Sequence, residues 1–166
     1  MPFKVQKTKP EPGQESVWDY PRPPRLEDCS SHIEIVFDGI KIVDTRQAKR
    51  VLETSHPPVY YIPPEDIQMK YLEKCPGGSW CEWKGKAQYY SLKINDKIVR
   101  NAAWYYPDPT PEFITIKNYL AFYADPMDAC YVNGEKVIPQ PGNFYGGWIT
   151  KNITGPFKGE AGTSFW

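Results

Sequence analysis

Residues 45–65 read TRQAKRVLETSHPPVYYIPPE, and the period assigned to them decides what kind of domain the chain builds. Thr45 suits an N-cap, because its hydroxyl can accept from a free amide of a first helical turn. Ala48, Val51 and Leu52 fall three and four apart, an apolar stripe, while Arg46, Arg50 and Glu53 share a second face. The spacing predicts a short helix, and a helix of roughly nine residues is marginal unless its stripe docks on something larger. It must end by Ser55, since Pro57 disfavours helical geometry at His56. Beyond it, Pro57-Pro58 stiffens the chain, residues 59–62 read as a short strand, and Pro63-Pro64 stops it. Such an elbow would hold Glu53 and His56 at a pocket beside Tyr60 or Tyr61, where a carboxylate and an imidazole could share a proton. The alternative is an exposed Arg50–Glu53 pair with His56 closing the helix end.

The flanking segments are mostly strands. Residues 32–43 alternate around Asp38-Gly39, a two-residue hairpin signal, with His32 expected to point to solvent. Residues 65–74 read as a second short helix begun by Pro64, and 75–79, CPGGS, as a loop. A second hairpin joins 86–94 to 97–104 through Asn95-Asp96. Its return strand places Val99, Asn101, Ala103 and Tyr105 on one face, and Arg100, Ala102 and Trp104 on the other. Asn101 among small apolar neighbours needs a partner, from the backbone or from a ligand. Thr110-Pro111-Glu112 can open a further helix, and Asn133-Gly134 turns a third hairpin. The tail, 139–166, lacks a period and reads as coil wrapped on by its aromatics, with Gly146-Gly147 able to approach a ligand closely. Residues 1–15 read as a flexible leader and 16–166 as one domain, with Trp18 and Tyr20 of an extended arm packing on the body.

Composition narrows the function. Lys plus Arg and Asp plus Glu are both 20, which argues against a nucleic-acid partner. No basic amphipathic helix marks a membrane surface, no apolar run approaches the roughly 18 residues of a span, and the first residues lack a signal-peptide core. A cytoplasmic protein is expected. Leu, Ile, Val and Phe make up only about a fifth of the chain, near the level at which disorder is suspected. Twelve Tyr and six Trp reverse that reading and predict an aromatic core. Cys29, Cys75, Cys81 and Cys130 form no CxxC pair, so reduced thiols are expected, and zinc on Cys75, Cys81 and a histidine is the weaker reading. No metal or cofactor is expected. A GxSxG elbow is missing, whereas pairings of a thiol with a histidine stay open.

Lys84, beside Trp83, could lie over an indole or present a partly desolvated ammonium to an anion. RQAKRVLETSHPPVYYIPPED, CEWKGKAQYY, NAAWYYPDPTPE, YLAFY and YGGWIT with GPFKG resemble, in order, the family catalogued as domain of unknown function 427, over residues 16–166. The motif positions are Arg50, Glu53, Pro57 and Tyr61, then Trp83, Lys84 and Gly85, then Ala103 and Trp104. The resemblance implies a single, mainly β (α+β) domain: a curved antiparallel sheet of hairpins, barrel-like or tent-like, with two or three short helices. The family has been labelled nucleotidyltransferase-like; this chain lacks the Gly-Ser and paired aspartates that would hold metal and triphosphate. The combined expectation is one aromatic-walled site for a small organic molecule. Glu53, His56 and Lys84 are its candidate catalytic groups. Arg50, Tyr60, Tyr61, Trp83, Asn101, Trp104 and Tyr105 are its candidate binding groups. The reaction would be metal-free isomerisation, elimination or hydrolysis, and the rival is a non-catalytic binding or interaction module.

Overall fold

A computed structural model describes residues 5–81, 83–142 and 144–166. In order, the strands are β1 (Glu15–Ser16), β2 (Arg25–Cys29), β3 (Ile33–Phe37), β4 (Ile40–Thr45), β5 (Ala48–Leu52), β6 (Val59–Tyr61), β7 (Leu72–Cys81), β8 (Gly85–Ile94), β9 (Lys97–Tyr105), β10 (Ala121–Phe122), β11 (Ala129–Val132), β12 (Glu135–Lys136), β13 (Ile138–Pro139), β14 (Trp148–Ile149) and β15 (Ile153–Thr154). They assemble as two four-stranded sheets, β10-β9-β8-β7 and β12-β11-β3-β4, and a three-stranded sheet, β2-β5-β6. Two short pairs, β13-β14 and β1-β15, complete them, and the sheets do not close into a barrel. Among the described residues the helical segments are short 3-10 turns at Val17–Asp19, Pro64–Asp66, Met69–Tyr71 and Pro111–Ile116. Among the described residues no helix is long and apolar enough to cross a membrane.

The helix expected over 45–55 is a strand, and the reason is visible in its burial. Ala48 packs in the largest core, Val51 in a second and Leu52 in a third. A strand buried on both faces has apolar residues at both parities, and three of them can fall at helical spacing by accident. The cap chemistry of Thr45 is real but serves a tight turn: its hydroxyl accepts from the Gln47 N–H at 2.9 Å and donates to Asp66 at 2.6 Å. The expected helix over 65–74 is likewise two single 3-10 turns, the first with Pro64 at its first position.

The three hairpins form at their expected turns, and Asp38, Asn95 and Asn133 each take a positive φ, of 49°, 55° and 50°. These are the residue types whose short polar side chains tolerate the left-handed region. The CPGGS loop is instead part of β7. There, Pro76, Gly77 and Gly78 stand opposite the single residue Gln88, between the pairs Cys75–Tyr89 and Ser79–Ala87. On the other side of β8, Arg100, Asn101 and Ala102 stand opposite Ser91 alone. Both neighbours of β8 therefore bulge, and bulges bend and twist a strand, which curves this sheet. Asn101 sits at the second bulge with φ 52° and its side chain exposed.

The N-terminal arm packs as expected: Tyr20 is buried with Val17, Leu52 and Ile153, and the Trp18 indole N–H donates to Pro156 O at 2.9 Å. In the stretch read as a leader, the Thr8 N–H donates to Gly155 O and Glu15 pairs with Ile153; residues 1–4 lie outside the described residues. The tail docks through Trp148, which is 1% exposed and stacks on Tyr60 with centroids 5.2 Å apart.

Candidate functional site

The β5–β6 connection places the first groups of the site. Ser55, fully buried with φ 72°, turns the chain, and its Oγ has no hydrogen-bond partner among the described residues. A non-glycine residue in this region is strained by roughly 1–3 kcal/mol, and such strain persists where the surroundings over-determine it. The surroundings here are backbone bonds: Ser55 N–H donates to Val17 O, and Ser55 O accepts from Lys158 N–H. The turn holds Glu53 and His56 on one side of the sheet, where Val51, Val59 and Tyr61 also face.

Opposite them stand β7, β8 and β9. Cys81, Ala87, Tyr89 and Trp104 complete the wall, with Trp83, Lys84, Tyr106 and Tyr123 at its ends. Between the two sheets lies a hollow of about 420 Å³. Exposed Trp80 and Phe144 stand at its mouth, and Tyr145 and Lys158 of the tail close one edge.

His56 is 7% exposed and its ring is fixed on both sides. Gln140 accepts from the Gly147 N–H at 3.0 Å and donates to Lys158 O at 2.8 Å, so its carbonyl and amino ends are assigned by the backbone. The same amino group lies 3.1 Å from His56 Nδ1, which must therefore accept. The proton sits on Nε2, 3.5 Å from the Glu53 carboxylate. Arg22 meets the same carboxylate oxygen at 3.4 Å. Burial works to raise the Glu53 pKa, but the His56 N–H and the charges of Lys84 and Arg22 outweigh it and hold the pKa below the ordinary 4.5. Glu53 is an anion at neutral pH. Because its folded-state pKa is depressed, its contribution to stability is present above about pH 4.5 and is lost as the pH falls below that. Glu53→Gln is thus expected to be less stable than the parent in urea at neutral pH, with the gap narrowing from about pH 4.5 downward. A gap that is the same at neutral pH and at about pH 3 would show that charge plays no part.

Lys84 is 8% exposed and lies over two rings, with Nζ 5.8 Å from the Tyr106 centroid and 5.7 Å from that of Phe113. The expected partner was the Trp83 indole beside it. Trp83 instead turns its backbone carbonyl to the Thr110 hydroxyl at 2.6 Å and packs its ring on the second core. Burial disfavours the Lys84 ammonium, but the Glu53 carboxylate and the polar groups around it favour it, and the balance raises its pKa above the ordinary lysine value. Lys84 is therefore a cation at neutral pH. Three phenols of the wall are held neutral, with Tyr123 pushed up to about 12 and Tyr61 and Tyr106 also raised, all by burial first.

Of the residues expected at one site, Glu53, His56, Tyr61, Trp83, Lys84 and Trp104 converge on the hollow. Arg50, Tyr60, Asn101 and Tyr105 do not. Arg50 is in register with Glu27 and Tyr60 across the three-stranded sheet, on the face away from the hollow. It donates to Glu27 and, at 2.8 Å, to Glu15, which ties the arm to the sheet. Tyr105 lies in the largest core, its hydroxyl on Gln88 at 2.9 Å. Tyr106 was legible in principle, being two residues from Trp104 along a strand and so on the same face. Tyr145, Lys158 and the supporting Gln140 come from the aperiodic tail and carry no such signal. Gly146 and Gly147 approach protein and not an open space: a Cβ on Gly146 would meet the Trp104 ring at 2.4 Å, and one on Gly147 the Pro57 carbonyl at 2.6 Å.

Cys75 and Cys81 gather with no histidine among the described residues. The Cys75 sulfur is 2.7 Å from the Ser91 hydroxyl, and Cys81 lines the hollow. His32, expected in solvent, is half-buried at the surface, 2.7 Å from Asp44 and 3.5 Å from Glu34. These three could offer ligand atoms to a metal ion, but Lys41 already sits on both carboxylates.

The sheets and the hollow define a small, mainly antiparallel β domain with one ring-walled recess. The chain belongs to the family described as domain of unknown function (DUF427), whose model matches residues 25–133. None of the curated proteins compared with the chain matches it. The matched segment carries Glu53, His56, Tyr61, Lys84, Trp104 and Tyr123 but ends before Tyr145 and Lys158 of the tail.

Proposed function

We propose that the domain binds a small organic molecule in this hollow, for recognition and not for acid–base chemistry. The reading rests above all on convergence. Lys84 and the Glu53–His56 pair, distant from each other in sequence, reach one recess of about 420 Å³ walled by Tyr61, Trp104, Tyr106 and Tyr123. That volume lies in the range of ligand pockets, and a few polar groups among rings is their usual make-up. Recognition is favoured over catalysis by the state of the two candidate proton carriers. Glu53 is held ionised by three cationic or donor neighbours, which makes it a weak base and no acid near neutrality. Both His56 nitrogens already face protein groups, Nδ1 the Gln140 amino group at 3.1 Å and Nε2 the Glu53 carboxylate at 3.5 Å. These groups order the site.

Amide and indole NMR shifts on titration with a set of small aromatic fragments test the reading. Shifts are expected to gather at Tyr61, Lys84 and the Trp104 indole, and to vanish in Val59→Trp, which fills the hollow from a half-buried position of its wall. Fragments that shift other surfaces only, or shifts that survive Val59→Trp, overturn it.

A further inference from the structure

The hollow carries an imbalance of charge that selects among small molecules. Among the described residues two cations line it, Lys84 and Lys158, against one carboxylate, Glu53. Lys158 stands at the edge, with Nζ over the Tyr145 ring at 5.4 Å and donating to Trp166 O at 3.3 Å. Glu53 is the carboxylate whose field reaches Lys84 among the described residues, and it is already shared between His56 and Arg22. Among the described residues Lys84 is thus a buried ammonium with a divided counter-charge, set among rings. The Cys81 thiol beside it is a weak acceptor that offers it little.

We propose that the occupant is a flat, singly anionic molecule, an aromatic or conjugated carboxylate, with its acid group on Lys84 and its ring on the wall of Tyr61, Trp104, Tyr106 and Tyr123. The assignment rests on the hollow being a ligand site, and it names the chemistry of what enters. A single charge suits the site because one ammonium meets one carboxylate. A phosphate would ask for the guanidinium forks or converging backbone N–H groups that such groups bind, and the guanidinium nearest the site, Arg22, is turned to Glu53 and the Trp166 carbonyl. A cationic ligand would meet Lys84 with like charge. Covalent capture of an aldehyde or ketone by Lys84 is disfavoured, because a protonated amine is not a nucleophile.

The probes are trans-cinnamate and cinnamamide, which share size and flatness and differ in charge. Calorimetric titration of the full chain is expected to give cinnamate an affinity about tenfold or more above the amide's, the usual scale of a charge-assisted bond. In Lys84→Met, which keeps the length of the stem, that preference is expected to fall to about twofold or less while the amide still binds. Lys84→Gln serves the same comparison if the methionine variant does not fold, and Lys41→Met, at the surface, is expected to keep the preference. Equal or tighter binding of the amide to the parent overturns the anionic assignment and leaves the hollow as a site. A preference for the acid that survives loss of Lys84 overturns the role given to that residue. Failure of both compounds to bind at millimolar concentration overturns the assignment together with the hollow as a site for flat rings.

Discussion

Gln140→Leu is expected to remove roughly 3–6 kcal/mol of stability, the largest loss of any single polar substitution considered for this chain. Gln140 is 3% exposed and serves three groups at once: the buried Gly147 N–H and His56 Nδ1, and the part-buried Lys158 carbonyl. Leucine fills much of the same volume and satisfies none of them, and each stranded group costs about 1–3 kcal/mol. Domains of this size hold about 5–15 kcal/mol in total, so the variant approaches the limit of folding. A fall of roughly 6–24 °C in the unfolding midpoint follows from about 2–4 °C per kcal/mol. Urea unfolding followed by tryptophan emission measures it directly. A loss below about 1 kcal/mol would mean that water replaces the amide at all three partners, and the fixed tautomer of His56 would go with it.

Gly146→Ala is expected to cost roughly 2–5 kcal/mol and to abolish fragment binding in the hollow. Two effects add. A residue with a Cβ is strained at φ 76° by about 1–2 kcal/mol. The new methyl would also stand 2.4 Å from one Trp104 ring atom and 2.8 Å from another, and forcing such a contact costs about 1–3 kcal/mol. Trp104 has little room to yield: it is 7% exposed, packs on Tyr123 with centroids 4.7 Å apart, and its indole N–H donates to the Tyr61 hydroxyl at 3.3 Å. Any movement that relieves the contact passes into Tyr61 and Tyr123, both walls of the hollow. Thermal melts and fragment-induced NMR shifts read the two consequences. A folded variant with unaltered fragment binding would show that Trp104 does not shape the site.

The parts legible in the sequence were those written locally. Asp38-Gly39, Asn95-Asp96 and Asn133-Gly134 specify their own turns, because the residues that tolerate positive φ are few. The strands that flank them followed from alternation, as Ile33, Ile35 and Phe37 all reach the core. Residues 45–55 misled because β5 serves three cores and its buried positions mimic a helical stripe. The site divided for a related reason. Tyr60 and Tyr61 are neighbours with identical side chains, and only the choice of face sends one to Trp148 and the other to the hollow. Arg50 and Glu53 were placed together by helical spacing, and the strand parts them. Asn101 was assigned by alternation to the face of Val99 and Ala103, but alternation does not hold within a bulge. Glu53, His56 and Lys84 were brought together by their chemistry alone, and all three line the hollow.

Each irregularity beside β8 sets three residues against one, a surplus of two. An even surplus leaves inward and outward positions in step on either side of it, so Val99 and Ala103 both reach the largest core. Relatives that gain or lose residues at these places in twos can keep Trp104 and Cys81 facing the recess while changing how sharply the sheet folds over it. A change by one would turn every later side chain of that strand inside out. Length variation confined to pairs at 76–78 and 100–102 is therefore the route by which this architecture can reshape its recess without rebuilding it.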